Sequence, residues 1–505
     1  MEKKQKKSLI DRFLNGIEIA GNKLPDPISI FAILAGIVLL ASWLLNKIGL
    51  TAENPTSGET LEVVNLLSKE GLQQIVTNMV SNFTGFAPLG IVIVAMIGIG
   101  VAEHSGLITA MMKKTVLSAP KNMIVPVLIF TAILGSVATD AAYIILPPIA
   151  AMIFMSVGRH PLVGMVAAYA AIAGGFSANI IITSLDVLLV GITEEAALLV
   201  DPEYKGLATM NYYFMAVSTV LLIIVASWVT VKIVEPRFGK YDGKMEVLEK
   251  VTPQEIKGLI WAIISALIYI GVLLVTIVPE NGILRGENGS FLDSPFMSGI
   301  VPLMLFLFLI PGIVYGIVVG TIKSDRDVAG MMFKSMADLA SFIVLSFVAA
   351  QMIAFFSWSN IGTILAIKGA ETLQTFNISG VPMFIGFIFI AALVNLLMSS
   401  ASAKWVLLAP IFVPMFMYLN YSPAVTQMAY RVGDSITNPI TPLLAYFAML
   451  LAFARKYDKN IKMGTLISAL IPYSIFFAIM WVILFSLWLL LGLPMGPGES
   501  IHINN

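Results

Sequence analysis

Nine stretches of about 20 or more mostly apolar residues divide this chain, near 27–49, 85–105, 162–190, 212–234, 257–278, 297–321, 332–356, 423–453 and 464–493. A helix needs roughly 20 such residues to cross the hydrocarbon of a bilayer. What remains cannot build a water-facing surface. Of the 505 residues, 12% are charged and 58% hydrophobic, where soluble domains carry about 25% charged residues. The expected class is an all-α integral membrane protein, with the lipid bilayer as its main partner. The first apolar run follows a basic N-terminus, "MEKKQKKSLIDRF". It is too long for the core of a cleaved leader and lacks a clear small-residue cleavage site, so it is expected to be an uncleaved first span.

Two further apolar segments do not fit single spans. Residues 123–157 are too long for one crossing and short for two, and residues 380–419 are broken in the middle by "SSASAK". Both are expected to be re-entrant hairpins, a backbone tolerated only where protein or a watery cavity covers it. The distribution of basic residues fits this plan. With the N-terminus in the cytoplasm, 23 of the 30 lysines and arginines fall on the inner side and five on the outer, as the positive-inside rule requires. The C-terminus then lies outside. Two basic residues stay within the membrane, Lys404 and Arg431.

The hairpins belong to a repeat. At an offset of 262 residues, "ATDAAYIILPPIAAMIFMSVGRHPLVGMVA" falls on "SASAKWVLLAPIFVPMFMYLNYSPAVTQMA" without a gap. Pro148 meets Pro410, Phe154-Met155 meets Phe416-Met417, and Pro161 meets Pro423. After a small gap, Asn179 in "GGFSANIIIT" approaches Asn438 in "DSITNPIT". Both of these stretches interrupt an apolar helix. The first hairpin enters from the cytoplasmic side and the second from outside, so the two units are inverted. The expected fold is about nine transmembrane helices plus two opposed re-entrant hairpins in an inverted repeat. Inverted repeats with broken helices are the architecture of secondary transporters, with the substrate site near the midplane. The chain divides into a basic N-terminus (1–26), first scaffold helices (27–122), hairpin 1 with its broken helix (123–191), central scaffold (192–379), hairpin 2 with its broken helix (380–455), and a final helix with an outer C-terminus (456–505).

Ionisable residues inside a membrane are functional candidates, because their burial costs several kcal/mol unless compensated. Asp140 lies at the first hairpin tip, where Ser136 and Thr139 add oxygens that suit Na⁺; helix capping is the plain alternative. Asn179 and Asp186 flank the break "GGFSANIIITSLD", where freed carbonyls suit a cation and Asp186 suits a proton or Na⁺. Arg431, Asp434 and Asn438 share a helix face at spacings of three and four. They form either a self-neutralising Arg431–Asp434 pair or a substrate site, since Arg presents a planar fork to carboxylates. Trp405 offers a platform for an aromatic group, or ordinary packing.

Composition excludes several other functions. Lys+Arg and Asp+Glu are both 30, so net charge gives no reason to expect nucleic acid. The absence of cysteine removes disulfides and thiolate chemistry. The three histidines show no metal-ligand spacing. An enzyme is not expected either: "RVGD" has Arg431 where an intramembrane aspartyl protease needs glycine, and there is no H-E-x-x-H. No filter-like repeat suggests a channel.

"SSASAKW", "LLAPIFVPMF" and "YRVGDSITNPITP" together resemble the p-aminobenzoyl-glutamate transporter (AbgT) family over essentially the whole chain. The resemblance implies a homodimer in a bacterial-type plasma (inner) membrane, each subunit with a scaffold and a hairpin-bearing transport core. It implies cation-coupled transport, with Na⁺ or H⁺, of p-aminobenzoyl-glutamate or of p-aminobenzoate-like antimetabolites such as sulfonamides. A Na⁺-coupled dicarboxylate or citrate symporter is the alternative carrier. The family's functional tryptophan, proline, arginine and aspartate fall on Trp405, Pro423, Arg431 and Asp434. Its hairpin-tip serines fall on Ser399, Ser400 and Ser402, with Asn395 before them, and the aspartate of the first half falls on Asp186. No cofactor is implied beyond a bound Na⁺, for which Asp140, Asn179 and Asp186 are the candidates.

Overall fold

The computed structural model describes residues 25–503 except 54, 56–57, 240, 242–250, 287–288, 292–293, 399 and 460; the side chains of residues 138–141 and 445 also lie outside the description. Helices dominate. In chain order they are α1 (Pro27–Ile48), α2 (Lys69–Thr84), α3 (Ala87–His104), α4 (Leu107–Leu117), α5 (Ile124–Leu134), α6 (Thr139–Ser156), α7 (Pro161–Gly174), α8 (Ser184–Ala197), α9 (Tyr212–Val229), α10 (Pro253–Ile277), α11 (Ile300–Val319), α12 (Asp325–Asp338), α13 (Ala340–Trp358), α14 (Ile361–Thr375), α15 (Gly380–Leu397), α16 (Ala401–Met417), α17 (Pro423–Thr437), α18 (Ala445–Ala454) and α19 (Met463–Leu490). One small antiparallel ribbon, β1 (Thr51–Glu53) with β2 (Thr60–Glu62), pairs Thr51 with Glu62.

Local chemistry sets the helix ends. The Asp26 side chain accepts from the Ile28 amide at 2.9 Å, Pro27 opens α1, and Gly49 at φ +74° stops it. Thr252 and Glu255 form a capping box around Pro253 to start α10. Along α10, Ile260, Ile263, Leu267 and Val275 are exposed. A helix so apolar and so little covered by protein has lipid as its solvent.

Among the described residues, eight helices are long and apolar enough to cross a membrane, or nine if the bent pair Leu107–Leu117 and Lys121–Val137 counts as one. Seven of the nine expected spans are among the eight. The other two expected spans, 162–190 and 423–453, are the broken helices α7–α8 and α17–α18. The eighth long apolar helix is α15, the first arm of the second hairpin.

Four amphipathic helices, α2, α4, α12 and α14, were not expected. Polar residues such as Gln73, Gln74, Asn78 and Asn82 dilute the apolar runs that mark a span. The span expected at 85–105 is α3, which follows α2 so closely that the two make one 36-residue stretch, Lys69–His104, with an apolar window long enough to cross a membrane. The one expected at 332–356 divides into α12 and α13.

Both expected hairpins are present, α5–α6 and α15–α16. Their arms pack mainly on the broken helices: α6 on α7, α15 on α17, and α16 on α8. A Cβ on Gly433 of α17 would stand 2.4 Å from the Ile388 carbonyl oxygen of α15. Only glycine lets these backbones come so close.

Candidate functional site

Four chain interruptions converge on one cavity of about 530 Å³. Its lining includes Tyr143 beyond the first hairpin tip, Phe176 at the first helix break, Ser400 and Ser402 at the second hairpin tip, and Asn438, Leu444 and Tyr446 at the second break. Asp26 and Ile28 at the start of α1 and Asp338 and Phe342 at the α12–α13 junction complete the wall.

Part of the cavity lining is aromatic. Tyr143 and Tyr446 stack in parallel, with centroids 4.3 Å apart and planes 5° apart, and Phe176 and Phe342 also line the cavity. Another part of the lining is polar. Ser400 caps α16, its hydroxyl accepting from the Ala403 amide at 3.3 Å and lying 3.2 Å from the Ser402 hydroxyl. The N-terminus of α16 and its dipole thus face the cavity next to two hydroxyls, an arrangement that favours anionic groups.

Behind this wall lie two buried ion pairs, and neither is the Arg431–Asp434 pair that helix spacing suggested. Arg431 Nη1 lies 2.5 Å from Asp186 Oδ1, and Lys404 Nζ lies 2.5 Å from Asp434 Oδ1. Burial explains the exchange: each charge finds a partner on another element, where the desolvation of both is compensated. Asp186 is also half of a capping box. Its Oδ2 accepts from the Thr183 amide at 2.6 Å and hydroxyl at 2.8 Å, fixing the start of α8. The Arg431–Asp186 pair therefore ties the second repeat to the break in the first. Arg431 is 1% exposed, and its Nε and Nη2 have no hydrogen-bond partner among the described residues. It does not line the cavity.

Lys404 also donates to Asn395 Oδ1. The Asn395 amide nitrogen lies 2.7 Å from the Asp434 carbonyl and 2.8 Å from both Thr437 Oγ1 and Asn438 Oδ1, its two hydrogens shared among the three acceptors. One asparagine thus knits the end of α15 to the break after α17. Asp434 and Asn438 belong both to this network and to the cavity wall.

Trp405 is completely buried. Its indole N–H donates to Thr193 Oγ1 at 2.9 Å, and its ring stacks on Tyr430 at 4.5 Å. It holds α16 to α8 and α17 instead of facing the cavity. Pro423 opens α17. Asn179 is engaged within the protein: Oδ1 accepts from the Ile180 and Ile181 amides, and Nδ2 donates to Ser136 Oγ at 3.0 Å and the Ile133 carbonyl at 3.3 Å. Among the described residues no three acidic or histidine side chains gather as metal ligands. Ser399 and the Asp140 side chain lie outside the described residues.

Of the sequence candidates, Ser400, Ser402, Asp434 and Asn438 therefore meet at the cavity, and Asn395 supports them from behind. Tyr143, Phe176 and Tyr446 were missed. A signal for Tyr143 did exist: at the 262-residue offset it falls on Trp405.

The model of the AbgT putative transporter family matches residues 12–503. The p-aminobenzoyl-glutamate transport protein of Escherichia coli K12 is 39% identical over 484 residues, 95% of each chain. The crystal structure of the Alcanivorax borkumensis YdaH transporter superposes with a TM-score of 0.90 at 38% identity, covering 94% of this chain and 100% of that one. Neisseria gonorrhoeae MtrF, described with a class of antimetabolite efflux pumps, gives 0.91 at 44% identity, covering 97% and 100%.

Proposed function

The chain belongs to the AbgT family of membrane transporters, and on that premise we propose that its solute is p-aminobenzoyl-glutamate or a related p-aminobenzoate-like compound. The observation that carries this reading is the mixed aromatic and polar lining of the cavity. A benzoyl-glutamate has a flat ring at one end and carboxylates at the other. The Tyr143–Tyr446 stack with Phe176 and Phe342 supplies a ring surface. Ser400, Ser402 and the α16 N-terminus supply donors for carboxylate oxygens. A substrate with one aromatic and one anionic end fits such a wall better than a small dicarboxylate does.

The transport cycle follows from the same placement. The cavity is lined by the starts of α1 and α13, which an N-terminus in the cytoplasm puts on the inner side. On that topology we read the cavity as facing inward. The hairpins and broken helices would move as a core against the remaining helices, carrying the cavity to the outer side in a homodimer with its C-termini outside. Coupling to Na⁺ or H⁺ supplies the driving force.

Uptake of labelled p-aminobenzoyl-glutamate and p-aminobenzoate into proteoliposomes, under imposed Na⁺ or pH gradients, tests the substrate, direction and coupling together. The expected result is gradient-driven, counter-flow-competent movement of an aromatic solute. Transport of succinate that neither aromatic compound inhibits would overturn the proposal.

A further inference from the structure

The polar cluster around Lys404 exists in one repeat only. At the 262-residue offset Lys404 falls on Ala142 and Asn395 on Ile133. The first repeat makes the equivalent tie without charge: Asn179 at its break donates to the Ile133 carbonyl. In the second repeat, the residue at that position is Asn395, whose amide group reaches Asn438 at the break.

The oxygens gathered in the second repeat are those of a hard-cation site. They are the Asp434 carboxylate, the Asp434 main-chain carbonyl, the Asn395 and Asn438 side-chain carbonyls and the Thr437 hydroxyl, the first 2.5 Å from Lys404 Nζ and the Asp434 carbonyl, Asn438 and Thr437 oxygens 2.7–2.8 Å from the Asn395 amide nitrogen. Carboxylate, carbonyl and hydroxyl oxygens at a helix break are the ligands that small cations take. Two of these oxygens, Asp434 Oδ1 and Asn395 Oδ1, contact an ammonium directly; the other three accept from the Asn395 amide group. Lys404 Nζ sits between Asp434 Oδ1 and Asn395 Oδ1, with Lys404 and Asn395 both 0% exposed. Asp434 and Asn438 also border the cavity, so the cluster has a side that solutes can reach.

We propose that Lys404 is a tethered cation. Its ammonium fills the cation position of the second repeat, neutralises Asp434 and holds the second hairpin to α17. While Lys404 is charged, this position takes no free Na⁺. This inference goes beyond the identity of the solute, and it is tested without transport, so it can fail while the proposed function stands, and the reverse.

The experiment is thermal unfolding of the purified full-length protein in NaCl and in choline chloride at equal ionic strength. It compares wild type, Lys404→Met and the Lys404→Met/Asp434→Asn double variant. Lys404→Met should melt lower than wild type in choline and gain a saturable, Na⁺-specific rise in melting temperature, because a ligand bound only to the native state stabilises it. The double variant, with no charge to balance, should lack that rise. No added Na⁺ response in Lys404→Met, or an equal one in the double variant, would overturn the proposal. Two arms do not depend on the methionine variant folding. Lys404→Arg, which keeps a tethered charge, should be as indifferent to Na⁺ as wild type. Equilibrium binding of ²²Na⁺ to wild type should not fall on Asp434→Asn substitution; a fall would show that the position takes Na⁺ with the lysine in place.

Discussion

The two repeats share a skeleton and differ in what is buried inside it. In each, an aromatic residue beyond the hairpin tip packs on a tyrosine of the helix that follows: Tyr143 edge-on to Tyr169 at 5.5 Å, Trp405 stacked on Tyr430 at 4.5 Å. In each, an asparagine at the helix break reaches the end of the hairpin's first arm. The contents then diverge. The first repeat turns Tyr143 toward the cavity and keeps Ile133 and Ala142 where the second has Asn395 and Lys404. The second repeat buries its tryptophan, its lysine and its arginine. The lesson is a partial division of labour. The ring surface draws on both repeats, Tyr143 from the first and Tyr446 from the second, whereas the buried lysine and the hairpin-tip hydroxyls come from the second alone.

The largest expected effect comes from cutting the tie between the repeats. Arg431→Met leaves Asp186 buried without its ion-pair partner, at a cost of about 3–5 kcal/mol. The folded fraction in size-exclusion chromatography and the melting temperature should both collapse, and adding Asp186→Asn should restore much of each. A single variant as stable as wild type would show that the repeats are held together elsewhere.

Making the second repeat like the first is the next test. Asn395→Ile installs the first repeat's residue and strips partners from Lys404 and Asn438. Transport should be lost and stability should fall by about 1–3 kcal/mol, the cost of leaving buried polar groups unpaired. Full transport activity would mean that the polar network is incidental.

The aromatic wall should have a smaller effect, and on binding only. Tyr446→Ala removes a ring offered to an aromatic solute, a contact worth about 0.5–1.5 kcal/mol. The KM for an aromatic solute should rise roughly three- to tenfold, with the melting temperature nearly unchanged. By contrast, Trp405→Phe, which keeps the ring but loses the bond to Thr193, should lower stability by about 1 kcal/mol and leave KM close to wild type. The reverse pattern would exchange the roles given to the two aromatics.

The smallest effect lies where the repeats are pinned outside the cavity. In the first, Arg159 grips Glu235 with Nε at 2.6 Å and Nη2 at 2.5 Å beside the turn before α7. In the second, the C-terminal tail does this work: the Ser422 amide donates to the Ile501 carbonyl at 2.9 Å, and Tyr421 pairs with His502. Burial in that tail pushes the Glu499 carboxyl up to about 7. The folded tail then holds a proton that the undocked tail releases above the ordinary carboxylate range. Docking is therefore fully favourable below about 4.5 and weakens as pH rises toward 7. Hydrogen exchange in residues 494–503 should be faster at pH 8 than at pH 5.5, after correction for intrinsic rate, and Glu499→Gln should remove the difference.

Much of the fold was legible because lipid imposes simple rules. Span length, basic loops and the proline register at the 262-residue offset depend on residue type and order alone. The amphipathic helices were not legible, since α2 and α12 carry polar faces that no long apolar run announces. Among site residues, Ser400 and Ser402 were found through the resemblance of "SSASAKW" to the family's hairpin tip. Tyr446 was not found, because a tyrosine after "NPITPLLA" looks like any interfacial aromatic.

By itself, then, the sequence determined that this chain crosses a membrane, breaks two of its helices and repeats itself. It also marked which charges the hydrocarbon would have to tolerate. Only the tertiary structure decided how those charges pair. Helix spacing set Arg431 beside Asp434, yet Arg431 went to Asp186 and Asp434 to Lys404, with Trp405 turned inward and Tyr143 toward the cavity. The reason is desolvation. A buried charge is stable only against a partner that closes its hydrogen bonds, and those partners lie on elements brought together by packing, far apart in sequence.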